Sequence, residues 1–195
     1  FGHADPNGTN NLNNLAKIES VIESRTGNST SLIGTNNASA PDGINATFVT
    51  NKFEFGFTTA GGSTPLINNN VGNNSTVANG STISSGNLYR FLTANGANVT
   101  NLVAGQAGLG NTTDAIIRAV GYIYLANPGS YDFRVVADDG YRVLIDGHSV
   151  AAADRIQSTT SNTFTNQSLA AGMLPIEILY WDQAGHADFR IEIKP

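Results

Sequence analysis

Residues 121–147 read GYIYLANPGSYDFRVVADDGYRVLIDG, and their pattern indicates the fold class. Apolar side chains occupy every second position over 131–137, before the Asp138-Asp139 pair, and again over 141–145, after it. Alternation with a period of two is typical of half-buried β-strands. Asp146-Gly147 then predicts a tight hairpin turn. The stretch therefore predicts consecutive antiparallel strands joined by short turns.

The rest of the chain extends this pattern. Two more alternating runs, at residues 176–180 and 189–193, predict strands near the C-terminus. Residues 61–86 consist mostly of Ser, Thr, Asn and Gly and predict a long surface loop. Short strands, many turn residues and little helix together predict an all-β fold, an antiparallel β-sandwich with one N-terminal helix and long loops. We find no internal repeat, and residues 1–195 are predicted to form a single domain.

The one helix is predicted over residues 11–25, where Leu, Ile and Val recur at three- and four-residue spacing. Thr9 or Asn10 is a suitable N-cap, and Gly27 suits the C-terminal end.

Composition excludes several classes of partner. Charged residues make up 13% of the chain and the formal net charge is -5. Because binding to phosphates needs clustered Lys and Arg, no nucleic-acid partner is expected. No apolar run approaches the roughly 18 residues that a membrane-spanning helix needs, so membrane insertion is not expected. The chain contains no Cys, which excludes disulfides and thiolate metal sites.

The Asp138-Asp139 pair is the most informative candidate site. Two adjacent carboxylates at the end of an apolar strand repel each other unless a cation compensates their charge. Ca²⁺ takes six to eight oxygen ligands and prefers carboxylates among protein donors. The alternative is a solvated strand end followed by a turn, because Asp-Gly is a common turn signal.

A second candidate is the segment 181–188, which reads WDQAGHAD. It offers carboxylate, amide, imidazole and backbone carbonyl groups between two predicted strands, and such a loop could complete an oxygen cage. Trp181 is a candidate stacking surface for a sugar ring. The alternative is an ordinary hairpin loop with Trp181 in the core and a solvated His186.

Enzymatic sites find little support, and the chain is not expected to be an enzyme. The sequence has no nucleophile elbow, phosphate-binding loop or zinc-protease motif. A glycosidase needs two carboxyls roughly 5–10 Å apart, which two neighbouring Asp residues do not provide by themselves. Residues 5–11 carry oxygen side chains at alternate positions, but Ala16 stands where an EF-hand loop requires Glu.

The strand and turn sequences resemble those of the protective-antigen (PA14) domain family. The resemblance covers residues 88–193, extends loosely over 48–87, and does not include the family's usual beginning within 1–47. It is carried by 121–125, 128–135, 137–147 and 174–181, followed by Gly185 and 189–191.

The family resemblance implies a β-sandwich found in adhesins, flocculins, toxins and some glycosidases. In the lectin members, two vicinal Asp residues joined by a cis peptide bind calcium, which coordinates neighbouring hydroxyls of a sugar. Asp138 and Asp139 match that pair. The other ligands are implied to come from the loop before the last strand. Here that implies the Gln183 side chain and the carbonyls of Ala184 and His186.

Asp182 and Asp188 are the alternative ligands if the alignment of this loop is shifted by one position. The predicted sugar-binding residues are Asp138, Asp139, Gln183 and Trp181.

The resulting functional hypothesis is a calcium-dependent carbohydrate-binding module of a large extracellular, cell-surface adhesin. Its expected partners are cell-surface or polymeric glycans and the neighbouring domains of a longer chain. Two alternatives are a calcium-rigidified structural module of a surface protein and an accessory targeting domain of a carbohydrate-active enzyme.

Overall fold

The computed structural model describes residues 2–3, 12–26, 46–55, 75–76, 82–83, 91–92, 98–102, 115–183 and 187–195. Most of the predicted loop at 61–86 and all of the segment 5–11 lie outside these residues. In chain order the elements are β1 (Gly2–His3), α1 (Leu15–Thr26), β2 (Ala46–Val49), β3 (Glu54–Phe55), β4 (Ser75–Thr76), β5 (Thr82–Ile83), β6 (Asn98–Leu102), β7 (Ala115–Leu125), β8 (Gly129–Asp138), β9 (Gly140–Ile145), β10 (His148–Ala153), β11 (Thr160–Leu169), β12 (Gly172–Asp182) and β13 (Asp188–Lys194).

The strands form two antiparallel sheets and a short ribbon. The larger sheet has the order β10-β9-β12-β7-β1-β2-β6, and the smaller has the order β11-β8-β13-β3. Strands β4 and β5 pair with each other. This architecture confirms the predicted antiparallel β-sandwich.

The main core lies between the two sheets, where the alternating apolar residues meet. Phe133 and Val135 of β8 are buried there together with Tyr141 and Val143 of β9. Aromatic rings join the layers, since the Tyr180 ring of β12 stacks on Phe189 of β13 at a centroid distance of 4.8 Å. The period-two pattern of the sequence therefore corresponds to burial between the sheets.

Helix α1 covers the outer face of the larger sheet. It begins at Leu15, so the predicted caps Thr9 and Asn10 are wrong. Asn14 is the cap, because its side-chain oxygen accepts the backbone N–H of Lys17 at 2.9 Å. The described part of the chain contains no helix that is long and apolar enough to cross a membrane.

A second apolar cluster fills the space between helix and sheet, and consists of Leu12, Ile18, Val21, Ile22, Ile116, Leu179 and Trp181.

The Asp138-Asp139 pair marks the point at which the chain passes from one sheet to the other. Strand β8 belongs to the smaller sheet and β9 to the larger. Asp138 is paired with Asp188, the first residue of β13, and Gly140 is paired with Trp181 near the end of β12. The crossover thus lies beside both ends of the connection between β12 and β13.

Candidate functional site

Three carboxylates meet at this crossover between the sheets. Asp138 and Asp139 come from the β8–β9 step and Asp182 from the end of β12, and one oxygen of each lies within 4.8 Å of the others. All three side chains are buried. The peptide bond between Asp138 and Asp139 is cis, as the resemblance implied. The fold therefore adds a third carboxylate, Asp182, to the pair seen in the sequence.

Strand β12 holds the vicinal pair from the side of the larger sheet. The Tyr180 hydroxyl donates to the backbone carbonyl of Asp138, and the Asp139 N–H donates to the Trp181 carbonyl at 3.3 Å. The backbone N–H of Gln183 donates to Asp139 Oδ2 at 2.8 Å. Burial, with the charges of the surrounding aspartates, raises the pKa of Tyr180 well above its usual value. Tyr180 therefore keeps the proton that it donates to Asp138.

Two residues of the β10–β11 connection contact the pair from another direction. Gln157 contacts Asp139, and Thr159 contacts Asp138. Neither residue was expected from the sequence, since they lie 18 and 21 positions from their partners. The sequence carries no periodic signal that would have revealed these contacts.

Asp188 is a fourth buried carboxyl beside the triad. Its Oδ2 lies 3.0 Å from the Thr159 hydroxyl, and its Oδ1 has no hydrogen-bond partner in the described part of the chain. Burial raises the pKa of Asp188 to about 7. The Thr159 hydrogen bond opposes this shift and the charge of Asp138 adds to it. Asp188 therefore responds to pH near neutrality.

We expect the calcium-free protein to lose stability as the pH rises from about 5 to about 7. The folded Asp188 carboxyl has a pKa of about 7, whereas an unfolded aspartate titrates near pH 4. Between these values only the folded state binds the proton, so the free energy of unfolding falls by up to about 1.4 kcal/mol per pH unit. Above the folded pKa this contribution has disappeared.

Thermal unfolding in excess chelator, measured from pH 5 to pH 8, checks this expectation. Asp188→Asn should flatten the dependence, because the amide does not titrate in this range. Equal pH slopes for the wild-type and variant proteins would contradict it.

The residues predicted as ligands or sugar contacts around the β12–β13 loop differ in where the structure places them. Gln183 lies beside the pair and contacts Asp139 through its backbone N–H. Ala184 and His186 lie outside the described residues. Trp181 is fully buried in the cluster under helix α1. The prediction that its ring stacks on a sugar is wrong, because a ring buried beneath a helix presents no face to a ligand.

The chemistry of the site fits a bound hard cation. Three buried carboxylates at this distance repel one another, and a cation between them would offset that repulsion. The three groups offer oxygen donors, which suit calcium better than metals that prefer nitrogen or sulfur. Asp138, Asp139 and Asp182 are the residues that would hold it.

Comparison with known proteins identifies the fold. Neither family models nor curated protein sequences give a match to the chain. Among solved structures, a PA14 sugar-binding domain from an RTX adhesin is 26% identical, with a TM-score of 0.66 over 99% of this chain and 86% of that chain. The PA14 domain of the antifreeze protein MpAFP is 21% identical, with a TM-score of 0.64 over 99% of this chain and 78% of that chain. These structures confirm the resemblance predicted from the sequence.

Proposed function

We propose that this chain, which has the PA14 β-sandwich fold, is a calcium-dependent carbohydrate-binding module of an extracellular adhesin. The observation that carries the proposal is the convergence of Asp138, Asp139 and Asp182 at the crossover between the sheets. The similarity to a PA14 domain that binds sugar in an RTX adhesin supports it.

The three aspartates have different parts in the proposed site. Asp182 is completely buried, whereas Asp138 and Asp139 keep 5% and 2% of their surface exposed. We propose that Asp182 closes the inner side of the site and that the vicinal pair borders the side from which a sugar would approach. The Gln183 side chain and the carbonyls of Ala184 and His186 are proposed to complete the ligand set.

Calcium bound there would supply open coordination positions for two neighbouring hydroxyls of a sugar. The carboxylates of Asp138 and Asp139 would accept hydrogen bonds from those same hydroxyls and so orient the ring. Charge-assisted hydrogen bonds of this kind are stronger than bonds between neutral groups. A contact limited to one diol is small, so adhesion would depend on several modules or on polymeric glycans.

The proposed setting rests on the proposed calcium site and on the similarity to a domain from an RTX adhesin. Extracellular calcium modules work at about 10⁻⁴–10⁻³ M calcium, and we place this module outside the cell, at the cell surface, beside other domains of a longer chain. Residues 1–195 are proposed to act as one binding domain without enzymatic activity.

A glycan-array screen of the purified domain, in millimolar calcium and again in excess chelator, tests the proposal. We expect binding to glycans that share one terminal diol, and loss of that binding in chelator. Binding that persists in chelator would remove the aspartates from the mechanism. No binding in either condition would favour a calcium-rigidified structural module instead.

A further inference from the structure

We infer that Gln157 and Thr159, in the connection between β10 and β11, position the vicinal aspartates for calcium. The inference rests on the proposed function and adds to it two residues that do not touch the ion themselves.

Gln157 holds Asp139 at two points. Its backbone N–H donates to Asp139 Oδ1 at 2.9 Å, and its side-chain Nε2 donates to the Asp139 carbonyl at 3.0 Å. The same Nε2 lies 3.3 Å from the Ala137 carbonyl. Because one residue contacts both the carboxylate and the main chain of Asp139, it fixes the direction of the side chain relative to the backbone.

Thr159 holds the other member of the pair. Its hydroxyl lies 3.2 Å from Asp138 Oδ2 and 3.0 Å from Asp188 Oδ2. A hydroxyl has a single hydrogen, so it can donate to one of the two carboxyls at a time. Thr159 therefore lies between Asp138 and Asp188 and orients the Asp138 carboxylate.

These contacts oppose the repulsion between the like charges of the site. Without an ion, the carboxylates of Asp138, Asp139 and Asp182 repel one another and favour rotamers that spread the oxygens apart. Donors fixed on a separate connection oppose that spreading and keep the ligand oxygens in place before calcium arrives. Removal of comparable hydrogen-bond partners of metal ligands costs about 10- to 100-fold in metal affinity.

Gln157→Met is the first test, because methionine has a similar size and removes the amide donor to the Asp139 and Ala137 carbonyls, while the backbone N–H that donates to Asp139 Oδ1 remains. We expect the Kd for calcium, measured by titration calorimetry, to rise by about tenfold. Gln167→Met is the matched control. Gln167 makes the same kind of bond, from Nε2 to the Thr165 carbonyl at 2.9 Å, but on β11 and to no residue of the site. Its Kd should equal that of the wild-type protein.

Thr159→Val is the second test, since valine keeps the shape and removes the hydroxyl. We again expect a rise in the calcium Kd of about tenfold. Thr159→Ser restores the hydroxyl and should restore most of the affinity. Thr160→Val is the neighbouring control, because the Thr160 hydroxyl donates to the Ser158 carbonyl rather than to an aspartate.

Thermal unfolding with and without calcium separates positioning from a merely structural role. A structural role lowers the melting temperature equally in both conditions and leaves the Kd unchanged. That result in both Gln157→Met and Thr159→Val would overturn this inference and leave the proposed function standing. A wild-type protein that binds no calcium would overturn the proposed function, and the inference with it. Positioning instead predicts a higher Kd and a smaller calcium-induced rise in melting temperature.

Discussion

Asp139→Asn is expected to abolish calcium-dependent glycan binding, with at least a 100-fold loss of affinity, while the fold is retained. Removing one partner from a buried charged contact costs about 3–5 kcal/mol, which corresponds to more than about a 100-fold change in Kd. Asparagine keeps the shape of the side chain and an oxygen acceptor, so the sandwich should still fold. Glycan binding in millimolar calcium, together with circular dichroism, measures both effects.

Asp132→Asn is the matched control for this variant. Asp132 also lies on β8, but its carboxylate accepts the backbone N–H of Asn166 on the neighbouring strand, away from the triad. The Asp132→Asn variant should bind glycan with the affinity of the wild-type protein. Undiminished binding by Asp139→Asn would show that the vicinal pair does not carry the activity.

Gly140→Ala is expected to destabilise the domain by about 2–3 kcal/mol. A Cβ atom at Gly140 would lie 2.0 Å from Cζ2 of the Trp181 indole. Trp181 is fully buried beneath helix α1, so its ring cannot move aside without disturbing the second apolar cluster. Overpacking of this kind should lower the melting temperature by about 5–10 °C in a domain of this size.

Gly121→Ala is the control for this prediction, because a Cβ atom there would meet no other atom within 4 Å. Its melting temperature should change little. Equal melting temperatures for the two variants would contradict the close approach of Gly140 and Trp181. Since Gly140 directly follows Asp139, we also expect Gly140→Ala to weaken calcium binding.

Much of the sandwich could be predicted because parts of its strands, β8 and β9 above all, alternate between buried and more exposed positions. The alternation over 131–137 and 141–145 predicted two strands with the aspartate pair between them. It could not predict that β8 and β9 belong to different sheets, because period-two patterns report the burial of each strand and not its neighbours. The cap of α1 was placed too early, since several polar residues precede Leu15 and any of them satisfies the sequence rule for a cap.

The candidate site was only partly visible in the sequence. Asp138 and Asp139 were identified as neighbours, and Asp182 was recognised only as an alternative ligand. Its place in the triad follows from the pairing of β12 with β9, which brings Trp181 opposite Gly140. The sequence left open whether Trp181 stacks on a sugar or lies in the core. The contacts with helix α1 and the larger sheet that bury it are distant in sequence.

The most direct measurement is anomalous diffraction from a crystal soaked with calcium and a glycan selected on the array. We expect a calcium peak about 2.3–2.6 Å from oxygens of Asp138, Asp139 and Asp182, with two hydroxyls of the sugar on its open side. No calcium peak at the three aspartates, or a sugar bound away from the ion, would contradict the proposed site.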